Sequence, residues 1–228
     1  MQIVDTGVLG TRSAVLRLQR KGAALNFLVF PMIHVASPRF YADVTARLRE
    51  CDLLVVEGVS GRSVLSLALT ATYRVIPKNR RSGVVVDNIR YRELGVPLIN
   101  PDVSVDELAT DWRTLPLRLR LMVWCMLPVV IVGQLFGGRR RLLAPSVVVN
   151  DDDLPEYDAE EQFLSVLTDE RDRRLIAALC ELHATRSGER IDVAVVYGAG
   201  HVGAVVHALA ATLDYRPRSA EWLTVLEA

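Results

Sequence analysis

Residues 191–203, IDVAVVYGAGHVG, carry an apolar, β-branched run directly into Gly198-Ala199-Gly200-His201, and the chain continues as VGAVVHALAATL. Such a run bounded by polar residues predicts a buried strand, the glycines predict the turn, and the small and apolar residues after them predict a helix. This arrangement constrains the fold strongly. A strand buried on both faces and followed at once by a helix belongs to an α/β sheet, and His201 falls where the strand's carboxyl end gives way to the helix's amino end. Ligands bind at that edge in open α/β sheets, and the positive end of a helix disfavours imidazolium, so the position predicts a neutral histidine able to bind a metal or act as a base.

The rest of the chain fits the same class. Ser13–Gln19 and Leu25–Ile33, separated by Arg20-Lys21-Gly22, predict a hairpin whose second strand ends at His34. Ser37-Pro38 is a helix start, and Tyr41, Val44 and Leu48 recur at helical spacing, so a helix is expected from Pro38 to Glu50. Further strands are expected at Asp52–Glu57 and Val96–Asn100, and further helices at Arg62–Tyr73, at Val105–Trp112 after the Ser104 cap, and at Glu160–Ser187. The acidic stretch Asp151–Glu161 reads as a solvated loop. The fold class expected is mixed α/β, a largely parallel sheet flanked by helices, formed by residues 1–228 as one domain with a helical insertion at about 105–150.

Composition narrows the partners. Lys+Arg and Asp+Glu both number 27, so no global field favours nucleic acid. Cys51, Cys125 and Cys180 are odd in number, lack metal-type spacing and sit among apolar residues, which predicts reduced core thiols of a cytoplasmic protein. The amino end has no basic stretch followed by an apolar one, so no secretory signal is expected. Leu121–Gly138 is nearly free of polar side chains and is flanked by Arg118, Arg120, Arg139, Arg140 and Arg141, with Pro128 near its middle. Two short helices meeting at a corner, packed on the sheet or on a second copy in a homodimer, are expected there; membrane association, either spanning or lying in the inner surface, is the alternative.

Three potential ligands occupy equivalent places: His34 and Glu57 each end a strand, and His201 follows a third. If right-handed crossovers join these strands, their carboxyl ends share one rim, where two imidazoles and a carboxylate can hold a divalent ion or serve as a base with an acid partner. A charged Glu57 at the end of DLLVVE needs solvent or a cation, and Arg171 is a candidate for that cation or for a substrate's negative charge. His183 and His207 lie on expected helices without companions and read as structural.

The order of these pieces resembles the TraB/PrgY/GumN family, which includes the Tiki peptidases. The likeness rests on a strand ending in His34, the strand LLVVEG, Arg62, the helix with Glu170-Arg171-Asp172, and GAGHVG at 198–203. Where the family has glycine, two residues and histidine, this chain has Pro31-Met32-Ile33-His34. The resemblance implies a fold related to erythromycin-esterase and ChaN-like proteins, and metal-dependent hydrolysis of a peptide or small molecule. Mn, Co or Zn would be held by His34, Glu57 and His201, with Arg171 orienting an anion. It also implies a non-catalytic alternative, since some members are described as inhibitors of peptide pheromone signalling. A third reading is nucleotide binding: residues 198–203 satisfy G-x-G-x-x-G, Gly198 and Gly200 would cradle the phosphates of NAD, and Glu227 would meet the ribose.

Overall fold

The computed structural model describes residues 2–8, 10–58, 83–87, 89–101, 116–118, 120–122, 124–125 and 158–227. Strand β1 (Val4–Gly7) is followed by β2 (Gly10–Gln19), β3 (Asn26–Met32), the short β4 (Val35–Ala36) and helix α1 (Pro38–Leu48). Then come β5 (Leu53–Val56), β6 (Val85–Val86), a 3-10 turn at Tyr91–Glu93 and β7 (Leu98–Ile99). The chain closes with helix α2 (Asp158–Arg186), β8 (Asp192–Gly198), helix α3 (Ala199–Leu213) and β9 (Arg216–Glu227).

The main sheet is mixed, as expected. Strands β3, β8, β5 and β7 lie side by side and parallel, whereas β2 is antiparallel to β3 and also pairs antiparallel with β1 and β9. The strand latest in sequence of the parallel set, β8, is thus inserted between β3 and β5. Both faces of β8 are buried, with Val193, Val195 and Tyr197 in one apolar cluster and Ala194 and Val196 in the other. That explains an unbroken apolar run where a half-exposed strand would alternate. Helices α2 and α3 cover the first face through Leu175, Leu179, Leu182, Val202, Val205 and Leu209; α1 covers the second through Phe40, Tyr41, Val44 and Leu48. Side chains of this size stabilise by roughly 1.5–3 kcal/mol each on burial, so the layers hold the strand ends that form the rim.

Local chemistry sets the element boundaries. The Ser37 hydroxyl accepts the Phe40 N–H at 3.1 Å and Pro38 occupies the first turn, which starts α1 where the sequence predicts. At the amino end of β8, Asp192 accepts both guanidinium N–H groups of Arg17 at 3.0 and 2.9 Å and the Asn26 amide at 2.8 Å, tying β2, β3 and β8 into register.

The structure departs from expectation in four places. Helix α2 begins at Asp158, two residues before the expected start at Glu160 and inside the stretch read as a loop. The strands predicted at 52–57 and 96–100 shorten to Leu53–Val56 and Leu98–Ile99. Strand β9 spans 12 residues and lies on β2 despite its polar first half, with Pro217 opposite Leu18 at a register shift, a place where a missing N–H is tolerated. Cys51 is buried, but Cys180 is half-buried and Cys125 exposed, so Cys125 is not a core thiol.

The helices expected at 62–73 and 105–112 lie outside the described residues, as does most of 121–138, including Pro128. Leu117, Leu121, Met122 and Trp124 are exposed. No helix of the described residues is long and apolar enough to cross a membrane.

Candidate functional site

The carboxyl ends of β3, β8 and β5 bring their following residues to one rim. Glu57 continues the pairing of β5 with β8, its N–H donating to the Val196 carbonyl at 2.9 Å. Asn100, just after β7, donates to the Gly58 carbonyl at 2.7 Å, so the backbone is held on both sides of the carboxylate. One carboxylate oxygen, Oε1, accepts from Arg171 Nη2 at 2.7 Å; the other, Oε2, accepts the Gly198 N–H at 2.6 Å.

Space at position 198 is tight. Its φ of −51° suits any residue, but a Cβ there would stand 3.2 Å from Glu57 Oε2 and 3.7 Å from the His201 ring, whereas a Cβ on Gly200 would meet nothing within 4 Å. A glycine at position 198 lets the carboxylate reach the main chain.

Arg171 and Asp172 are consecutive on α2, and each serves a different partner: Arg171 holds Glu57, while Asp172 Oδ1 lies 2.6 Å from His201 Nδ1. An ionised carboxylate has only acceptors, so Nδ1 carries a proton in this contact and the neutral ring presents Nε2 as its acceptor. Nε2 is 3.9 Å from Glu57 Oε1, too far for a hydrogen bond and a distance one water can bridge. Tyr197 packs edge-on against the imidazole at 5.9 Å. The N-cap of α3, which starts beside these groups, is Gly198, a residue with no side chain to cap the helix.

Electrostatics follow from this pairing. Burial pushes the Glu57 carboxyl up, but the charges of Arg171 and His201 and the Gly198 N–H outweigh it and hold the pKa below the ordinary carboxylate value. Burial pushes His201 down; the Asp172 hydrogen bond and the charges of Glu57 and Asp172 overcome it and raise the pKa. The expectation of a histidine kept neutral by the helix end is therefore corrected, because two carboxylates at close range outweigh a partial dipole charge.

These directions set a stability profile. His201, raised above an unfolded value of about 6.5, contributes fully below that pH and loses its contribution as pH rises through the folded pKa. Glu57, lowered below an unfolded value of about 4.3, contributes above that pH and loses its contribution as pH falls through the folded pKa. Between about pH 4.3 and 6.5 both are in place. Thermal melts across pH 3–9 are expected to show the wild type's advantage over His201→Asn shrinking above about pH 6.5; an advantage that grows with alkalinity contradicts the assignment.

The structure brings together Glu57, Arg171 and His201, and adds Asp172 and the Gly198 N–H. Asp172 was not singled out as a site residue, because within ERDRR a carboxylate is indistinguishable from a solvated charge. His34 stands at the same rim but is exposed. It does not complete the expected ligand set: among the described residues no three histidine, cysteine, aspartate or glutamate side chains are arranged to hold a metal ion. Both Glu57 oxygens already have donors and His201 Nδ1 is engaged by Asp172, so an ion approaching Glu57 meets a guanidinium on the same oxygen. The donor set does not fit a divalent metal as arranged.

The nucleotide reading is corrected as well. A ribose-binding carboxylate ends a strand beside the glycine turn. Glu227 instead ends β9, opposite Gly10 of β2, and is exposed near Arg39, with the neighbours of β8 being β3 and β5. The Gly198 N–H holds a carboxylate, whose charge would repel the phosphates that Gly198 and Gly200 were expected to cradle. His183 lies between Arg20 and the Tyr215 hydroxyl, and His207 is exposed on α3.

Compared with family models, with curated proteins and with solved structures, the chain matches none.

Proposed function

We propose that this rim is a metal-independent acid–base hydrolytic centre acting on an ester or amide carbonyl of a small molecule or peptide. The observation that carries the reading is the 2.6 Å contact of Asp172 with His201 Nδ1, which leaves Nε2 directed to the gap before Glu57. A histidine oriented by a carboxylate is the usual construction of a general base. In this scheme a water in the gap gives its proton to Nε2 as its oxygen attacks the carbonyl carbon. Asp172 stabilises the imidazolium that forms, and the imidazolium then gives that proton to the leaving oxygen or nitrogen as the carbonyl–leaving-group bond breaks. Glu57, kept ionised by Arg171, accepts the water's second hydrogen and orients it. The first N–H groups of α3 supply donors for the developing oxyanion, a position where fixed dipoles have their greatest effect.

The motif order resembling the TraB/PrgY/GumN family suggests hydrolysis, but the donor set favours a reaction without an ion. Purified full-length protein, assayed with p-nitrophenyl butyrate and a mixed fluorogenic peptide library with and without EDTA, tests both parts. The expected result is turnover of one class that survives EDTA. Turnover restored only by Mn, Co or Zn overturns the metal-independent scheme, and failure to cleave either class overturns the hydrolytic reading.

A further inference from the structure

Leu117, Leu121, Met122 and Trp124 are not used by the hydrolytic scheme, and their exposure sets them apart. Of the seven large apolar side chains exposed among the described residues, these four lie within eight positions, at 63, 55, 39 and 43% exposure. Residues 117–118, 120–122 and 124–125 are helical, and the Arg120 N–H donates to the Pro116 carbonyl at 3.2 Å, the i to i−4 bond of a helix. At 3.6 residues per turn, Leu117, Leu121 and Trp124 fall within about 60° of one another, with Arg118 and Arg120 on either side. The result is one exposed apolar stripe bordered by two guanidinium groups.

A cluster of large apolar side chains left in water marks an interaction surface, and the surrounding charge says what covers it. Residues 112–150 contain six arginines, at 113, 118, 120, 139, 140 and 141, and no aspartate, glutamate or lysine, in a chain whose basic and acidic residues balance. The positive excess is therefore local to the sequence around the stripe. A second copy laid face to face on it would set arginines against arginines. A nucleic acid would meet the arginines and leave two leucines and a tryptophan in water. An anionic lipid surface meets both needs, with phosphates for the guanidinium groups and acyl chains for the stripe. Tryptophan suits that boundary because its ring is apolar and its N–H is polar, and the long arginine stems let their charged heads stay at phosphate level while the leucines go deeper.

We propose that Leu117, Leu121 and Trp124 form a lipid-binding surface that enters the headgroup–acyl boundary of an anionic bilayer, with Arg118 and Arg120 on its phosphates. From position 117 to position 125 a helix rises about 12 Å, against a hydrocarbon core of about 30 Å, so this contact lies in the plane of the interface. It shares no residue with the rim and stands whether or not the chain hydrolyses anything.

Flotation of the full chain with vesicles of phosphatidylcholine, with and without phosphatidylserine, tests the surface. Capture by the phosphatidylserine vesicles is expected to exceed capture by phosphatidylcholine alone at least about tenfold, and to weaken as salt rises from about 0.1 M to about 1 M. Arg118→Gln is expected to lower the partition coefficient about fivefold, and Leu121→Ser/Trp124→Ser at least about tenfold. Because both replaced side chains are exposed, the double variant should melt within about 2 °C of the wild type. Absence of capture by phosphatidylserine vesicles overturns the proposal, as does capture that the double variant leaves unchanged. A double variant whose melting falls further than that shows that the chain's own residues cover the stripe, and a wild-type dimer that the double variant dissociates in sedimentation shows that a second copy does; either result also overturns it.

Discussion

Replacing His201 with alanine is expected to lower kcat/KM for the substrate class that the chain cleaves by about 10²- to 10⁴-fold, the range that one positioned general base supplies. The loss should appear mainly in kcat, because Nε2 meets the attacking water. Asp172→Asn is the more discriminating variant. An amide can donate its N–H to Nδ1 and so favour the tautomer in which Nε2 carries the proton and cannot accept one. The expected result is a fall of at least about tenfold with little change in KM. Wild-type activity should rise with pH through the raised titration of His201, since the base must be unprotonated, and Asp172→Asn should move that limb toward acid because it removes the interaction that raises the pKa. A His201→Ala protein that keeps more than about a tenth of wild-type activity removes His201 as the base.

The parts of this site that could be read from sequence are those whose placement follows from burial. An apolar run such as DVAVVYG has few alternatives to a strand covered on both faces, and the crossover rules then send Glu57 and His201 to the same rim. The Arg171 contact was anticipated as a candidate: a carboxylate ending an apolar strand needs a cation, and Arg171 was the arginine named for it. Asp172 was not legible as a site residue. Its neighbours in sequence are charged, and what gives it a role is the position on α2 that sets it beside His201. Strand β9 was obscured for a related reason, because its register on β2 is a long-range pairing that a sequence half polar and half apolar does not specify.

The same demand for a cation yields the largest stability effect expected outside the apolar core. Arg171 and Glu57 are each about one-fifth exposed at the side chain, their contact is 2.7 Å, and Glu57 also spends its second oxygen on a backbone N–H. Removing the guanidinium in Arg171→Met leaves that carboxylate in place with its main compensating charge gone, which is expected to cost about 3 kcal/mol, the lower part of the range for breaking a buried pair. Removing both charges should cost much less, so Glu57→Gln/Arg171→Met is expected to recover at least half of the loss in urea unfolding at pH 7. The penalty for Arg171→Met alone should also shrink as pH falls: without Arg171, burial dominates the Glu57 titration, its pKa rises, and protonation relieves the unpaired charge at a milder acidity. A double variant no more stable than Arg171→Met would show that Arg171 acts through packing of its stem, and that the charge of Glu57 is compensated by the α3 end and His201 instead.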